Sequence, residues 1–127
     1  MTTITEIASL GDIAAGYDAI LCDVWGVVHD GRSAFPAAAA ALARFRAERG
    51  PVLLLSNAPR PGESVIEMLD QMAVPRDAYD GVLTSGDAAR AEMARRGAAP
   101  FLHVGPPRDR VVWAGLPAVE TKLDEAA

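Results

Sequence analysis

Little in this 127-residue chain offers a covalent staple, a membrane anchor or a basic surface. Its one cysteine, Cys22, has no internal partner for a disulfide, and its place in an apolar run suits a small buried thiol. Lysine occurs once, at Lys122, and the densest basic stretch, Arg108 to Arg110, is interrupted by Asp109. With a formal net charge of -5, the chain lacks the positive face that a nucleic-acid backbone requires, so no nucleic-acid partner is expected. The uncharged run 33–43 is too short and too rich in alanine to span a bilayer. No charged-then-apolar leader follows Met1, so the expectation is a cytoplasmic protein with no membrane partner.

What is present is globular in character. Half of the residues are hydrophobic and 23% are charged. Four apolar runs, 19–24, 52–55, 82–84 and 101–104, do not alternate with polar residues, which suits parallel strands buried on both faces. Helical patterns separate them. Pro36 suits the first turn of a helix running to about Arg49, with Gly50 after its end. Val65, Met68, Leu69 and Met72 form an i, i+3, i+4, i+7 stripe. A third helix is expected over about 87–96, ending at Gly97, and a short one over 109–116 after the Pro106–Pro107 turn. Strands alternating with helices predict an α/β fold with a parallel, Rossmann-like sheet of about four βα units. The polar stretch 120–127 carries no feature that closes a sheet.

In open α/β sheets, ligands bind at the carboxyl ends of the strands. Two such ends carry polar residues with one chemical theme. Asp23 ends the first apolar run, where the sheet would hold its carboxylate rigidly enough to ligate a hard cation or attack phosphorus. Taken alone, Asp23 is read more readily as a cap of the turn that follows. Ser56 ends the second run and is followed by Asn57, so donors to a phosphate oxygen would stand beside that carboxylate.

These segments resemble a known family. The stretch Asp23-Val24-Trp25-Gly26-Val27-Val28-His29-Asp30-Gly31 is similar to the first motif of the haloacid-dehalogenase-like hydrolases. Leu54-Leu55-Ser56-Asn57 is similar to their second motif. The continuation Ala58-Pro59-Arg60 and the later Thr84-Ser85-Gly86 resemble the branch with the type IIA cap, which includes nitrophenyl-phosphatase-like and sugar-phosphatase-like enzymes. The resemblance covers about residues 17–105. It implies magnesium-dependent hydrolysis of a small-molecule phosphate ester through an aspartyl-phosphate. Asp23 would be nucleophile and metal ligand, and the Trp25 backbone carbonyl a second ligand. Ser56 would hold the transferring phosphoryl group, with Asn57 supporting that loop or the substrate. Residues 26–32 would form a mobile turn over the site.

The chain departs from the family pattern in two respects. Most phosphatases of the family carry an acid–base aspartate two residues after the nucleophile, and here that position is Trp25, whose indole N–H is only a donor. His29 or Asp30 would have to substitute, and His29 is expected at the surface of its turn. Trp25 is read as a lid, a stacking surface or a core side chain. Second, the late lysine and acidic motifs and the cap domain have no counterpart. Asp87, after the third apolar run, is expected to be a helix cap rather than a metal ligand. The chain is therefore expected to be the amino-terminal portion of a longer enzyme and inactive alone. Rival readings are a non-catalytic module that has lost its acid–base group and a phospho-receiver-like domain. A homo-oligomer is left open.

Overall fold

The computed structural model describes residues 6–122. These fold as α/β, with the elements β1 (Ile20–Asp23), α1 (Pro36–Glu48), β2 (Val52–Ser56), α2 (Gly62–Gln71), β3 (Gly81–Thr84), α3 (Ser85–Arg96), β4 (Pro100–Leu102) and β5 (Val119–Thr121). The main sheet has three strands in the order β1-β2-β3. β1 and β2 run parallel, in a register that sets Ile20 beside Val52 and Asp23 beside Leu55. This is the βαβ arrangement of a Rossmann-like core. Two compact units make up the chain. One holds the described residues up to Ser56 together with Ile66–Val82, and the other holds Asn57–Val65 together with the described residues from Leu83 on.

The first unit carries the clearer core. Val52 and Leu54 on β2 are fully buried, and Cys22 on β1, level with Leu54, is 9% exposed. α1 begins at Pro36, whose fixed φ suits the first helical turn, and buries Ala39, Leu42 and Phe45. The helix stops one residue before the expected limit, and the N–H groups of Arg49 and Gly50 both return to the Phe45 carbonyl. Gly50 is required there, because a β-carbon would run into the Asp18 carbonyl. Asp80 ties β2 from the side. Its carboxylate accepts from the Val52 N–H at 2.8 Å and from the Arg46 guanidinium at 2.6 Å.

Four elements differ from the sequence reading. The run at 101–104 does not add a fourth strand to the main sheet. β4 pairs in parallel with β5 in a separate two-stranded sheet. Its side chains are at most half-buried, so it lacks the two covered faces of a central parallel strand. β5 itself was not foreseen, since Val-Glu-Thr is too short and too polar to stand out. The stretch 109–116 is a 3-10 helix over Pro107–Val112, followed by a turn. β1 also departs from a doubly buried strand, for Leu21 is 70% exposed on the face opposite Cys22.

Two outcomes follow for stability. Leu54→Ala should lower the unfolding free energy by about 2–5 kcal/mol, as cavities left at fully buried leucines do, read from urea denaturation. Asp80 gives a pH dependence of known sign. The Val52 N–H and the Arg46 guanidinium hold its carboxyl below the usual carboxylate range. A group depressed in the folded state contributes stability above its unfolded pKa of about 3.9, and that contribution fades as the pH falls further. The urea midpoints of the wild-type chain and of Asp80→Asn should therefore differ at neutral pH and converge below about pH 4.

Candidate active site

The chain turns as soon as it leaves β1. The Val24 N–H donates to the Asp23 Oδ1 at 2.7 Å, which fixes the carboxylate at the strand end. The Val24 carbonyl then accepts from the N–H groups of Val27, Val28 and His29 at 3.3, 2.9 and 3.4 Å, and the Gly26 N–H donates to the His29 carbonyl at 2.7 Å. None of these turn hydrogen bonds engages the Trp25 carbonyl. Gly26 stands at φ +77°, a left-handed conformation that glycine adopts without steric cost. Val24 and Val28 are buried and anchor the turn.

His29 is not the surface residue expected of a turn. It is 2% exposed, because Val28 and His29 enter the core together where a strand-like bridge joins His29 to Ala34. Its Nδ1 accepts from the Gly31 N–H at 2.8 Å, which places the proton of the neutral ring on Nε2. Trp25 is not a core side chain either, being 64% exposed. Its ring meets the His29 ring edge-on, with centroids 5.5 Å apart at 85°. The indole also lies over Gly31, where a β-carbon would collide with the benzo ring. Asp30 closes the turn, its Oδ1 accepting from the N–H groups of Arg32 and Ser33, each at 2.8 Å. These bonds, Ser33 first, hold the Asp30 carboxyl below the usual carboxylate range.

Ser56 is the last residue of β2, and the Asp23–Leu55 register puts it one step beyond Asp23 at the same end of the sheet. Asp23, Trp25 and Ser56 all belong to the first unit, while Asn57 is exposed and opens the second. Within the second unit, Asp87 is a cap. Its carboxylate accepts from the Thr84 N–H at 3.0 Å and the Gly62 N–H at 3.0 and 3.1 Å, while its own N–H donates to the Thr84 hydroxyl. The same hydroxyl donates to the Arg60 carbonyl at 2.5 Å, and Gly86 lies so close to Arg60 that a β-carbon would strike its backbone. The loop after Ser56 is thereby tied to the start of α3. Sequence reasoning found the cap and missed this tie, for which Gly86 was the available signal.

The family model described as haloacid dehalogenase-like hydrolase matches residues 20–126. The chain belongs to that family. Among solved structures, a haloacid dehalogenase-like hydrolase from Brucella suis 1330 is 40% identical, with a TM-score of 0.84 over 95% of this chain and 46% of that one. A hypothetical protein from Pyrococcus horikoshii OT3 is 27% identical, with a TM-score of 0.63 over 87% of this chain and 42% of its own length. A glycerol phosphate phosphatase from Mycobacterium tuberculosis, solved in complex with magnesium, is 25% identical, with a TM-score of 0.64 over 89% of this chain and 34% of that one. The chain thus spans less than half the length of each of these relatives. Among curated proteins, none matches it. No helix of the described residues is long and apolar enough to cross a membrane.

In this haloacid dehalogenase-like chain the exposed indole depends on Gly31. Gly31→Ala should displace the ring and shift the Trp25 fluorescence maximum, measured in a Trp113→Phe background so that Trp25 alone reports. An unchanged spectrum would show that Trp25 does not rest on Gly31.

Proposed function

We propose that this chain is the amino-terminal part of a magnesium-dependent hydrolase of small phosphate esters, of the branch with a type IIA cap, acting through an aspartyl-phosphate. The observation that carries this reading is the placement of Asp23 and Ser56 at the same end of two adjacent parallel strands, a separation of about 4.8 Å between strands that one phosphoryl group can bridge. Asp23 would attack phosphorus, Ser56 would donate to a phosphoryl oxygen, and Asn57 would support the loop that follows. The magnesium-bound glycerol phosphate phosphatase supports both the reaction class and the cofactor. The shares of its relatives that the chain covers, and Leu21 left 70% exposed on β1, support a longer parent protein.

The donors fit magnesium in kind. The Asp23 carboxylate keeps Oδ2 clear of the Val24 N–H, and the Trp25 carbonyl is outside the turn's hydrogen bonds, so two hard oxygens come from residues two apart in the chain. Among the described residues no three histidine, cysteine or acidic side chains group to hold a metal, so the rest of the coordination would come from water and from residues beyond this chain. Bound there, magnesium would stabilise negative charge on the phosphoryl oxygens.

The test is a steady-state assay of the complete protein with a phosphate ester and magnesium. Asp23→Asn should cut turnover by about a thousandfold or more, as loss of a nucleophile does. Residues 1–127 alone should release no phosphate, since two protein oxygens hold magnesium weakly. Turnover that survives Asp23→Asn would end the reading.

A further inference from the structure

Breaking a phosphate ester leaves an electron pair on the departing oxygen. A simple alkoxide is about as strongly basic as hydroxide, so it needs a proton donor as it leaves. A phenolate, with a conjugate-acid pKa of about 10, needs one less, and a carboxylate, at about 4, needs none. The groups on the turn beside Asp23 bear directly on which of these leaving groups the site can release.

Trp25, His29 and Asp30 are the side chains of that turn to weigh as proton donors to a leaving group, and none is set up for it. The Trp25 indole N–H donates hydrogen bonds and does not give up its proton near neutrality. His29 is 2% exposed, its Nδ1 occupied by the Gly31 N–H and its ring covered by the Trp25 edge contact. Asp30 accepts through Oδ1 from the Arg32 and Ser33 N–H groups, bonds that favour its ionised form and leave it no proton to give. Cys22, the neighbour of Asp23 in β1, points to the buried face, and its Sγ donates to the Asp23 carbonyl at 3.1 Å. With Asp23 as the proposed nucleophile, its own turn supplies no acid to the leaving group.

We propose that the physiological substrate carries its phosphate on an acidic oxygen, as in an acyl phosphate or a phosphoanhydride, rather than on a simple alcohol. This rests on the phosphoryl-transfer reading above through Asp23, and takes the substrate class beyond its esters to mixed anhydrides. An Asp23 carboxylate oxygen attacks phosphorus, the bond from phosphorus to the leaving oxygen breaks, and the electron pair departs on that oxygen as a stable anion. Water then attacks the phosphorus of the aspartyl-phosphate, the Asp23 carboxylate leaves, and the protons of that water pass to phosphate and solvent. One water is consumed, and no proton need come from the protein in the first step.

The experiment measures kcat/KM of the complete protein, with magnesium, for acetyl phosphate, a series of substituted phenyl phosphates and glycerol phosphate. Plotted against the pKa of the leaving group, the wild-type values should fall steeply, with acetyl phosphate fastest and glycerol phosphate slowest. Trp25→Asp should flatten the plot, with a gain of about a hundredfold to ten-thousandfold confined to glycerol phosphate, the range that general acid catalysis supplies. A flat wild-type plot, with glycerol phosphate turned over as well as acetyl phosphate, overturns the proposal and leaves the phosphoryl-transfer reading standing. Absence of turnover for every compound, or turnover that persists in Asp23→Asn, overturns both. Circular dichroism checks the fold of Trp25→Asp, and if that variant does not fold, the slope of the wild-type plot decides.

Discussion

The parallel pairing of β1 with β2 is the constraint on which everything else rests. It sets Asp23 level with Leu55 and Ser56 one step further, so a carboxylate and a hydroxyl reach the same end of the sheet. The pairing is held from below by side chains that cannot be exposed cheaply. Val52 and Leu54 are fully buried, with Phe45 and Leu42 of α1 buried in the same unit. Asp80 adds a carboxylate bond to the Val52 N–H at the opposite end of β2. A slip of one residue between the strands would turn Leu54 outward and carry Ser56 away from Asp23 together. Stability and site geometry therefore share one register.

Above the strand end, the turn from Val24 to Ala34 is a second, smaller structure with its own logic. Two glycines at positive φ, Gly26 and Gly31, let it double back. Buried His29 gives it a polar centre, and the exposed Trp25 indole lies across Gly31. The same bonds that make the turn rigid engage His29 Nδ1 and Asp30 Oδ1. In this chain the architecture of the turn and the chemistry left to Asp23 are one question.

Much of this was legible in the residues. The apolar runs located β1, β2 and β3, and Pro36 with its following alanines located α1, because doubly apolar strands and proline at a first helical turn are strong local signals. Asp87 was legible as a cap from its place after a strand and before a helical pattern. The small sheet was not. β4 and β5 are three residues each and largely exposed, so their pairing depends on non-local contact rather than on pattern. The burial of His29 was missed for a related reason. A histidine between Val28 and Asp30 reads as a surface turn until the bridge to Ala34 is seen to draw it inward. The exposure of Trp25 was likewise undecided by sequence, since an indole packs against a glycine only once φ at Gly31 is known.

The central claim is that Asp23 forms a covalent bond to phosphorus, and direct observation of that bond tests it most sharply. The complete protein would be mixed with magnesium and acetyl phosphate, quenched in acid within the first turnover, digested and examined by mass spectrometry. The account predicts a phosphate adduct on the peptide carrying Asp23, lost on treatment with hydroxylamine, which cleaves acyl phosphates. Release of phosphate with no adduct, or with the adduct on another peptide, would contradict it.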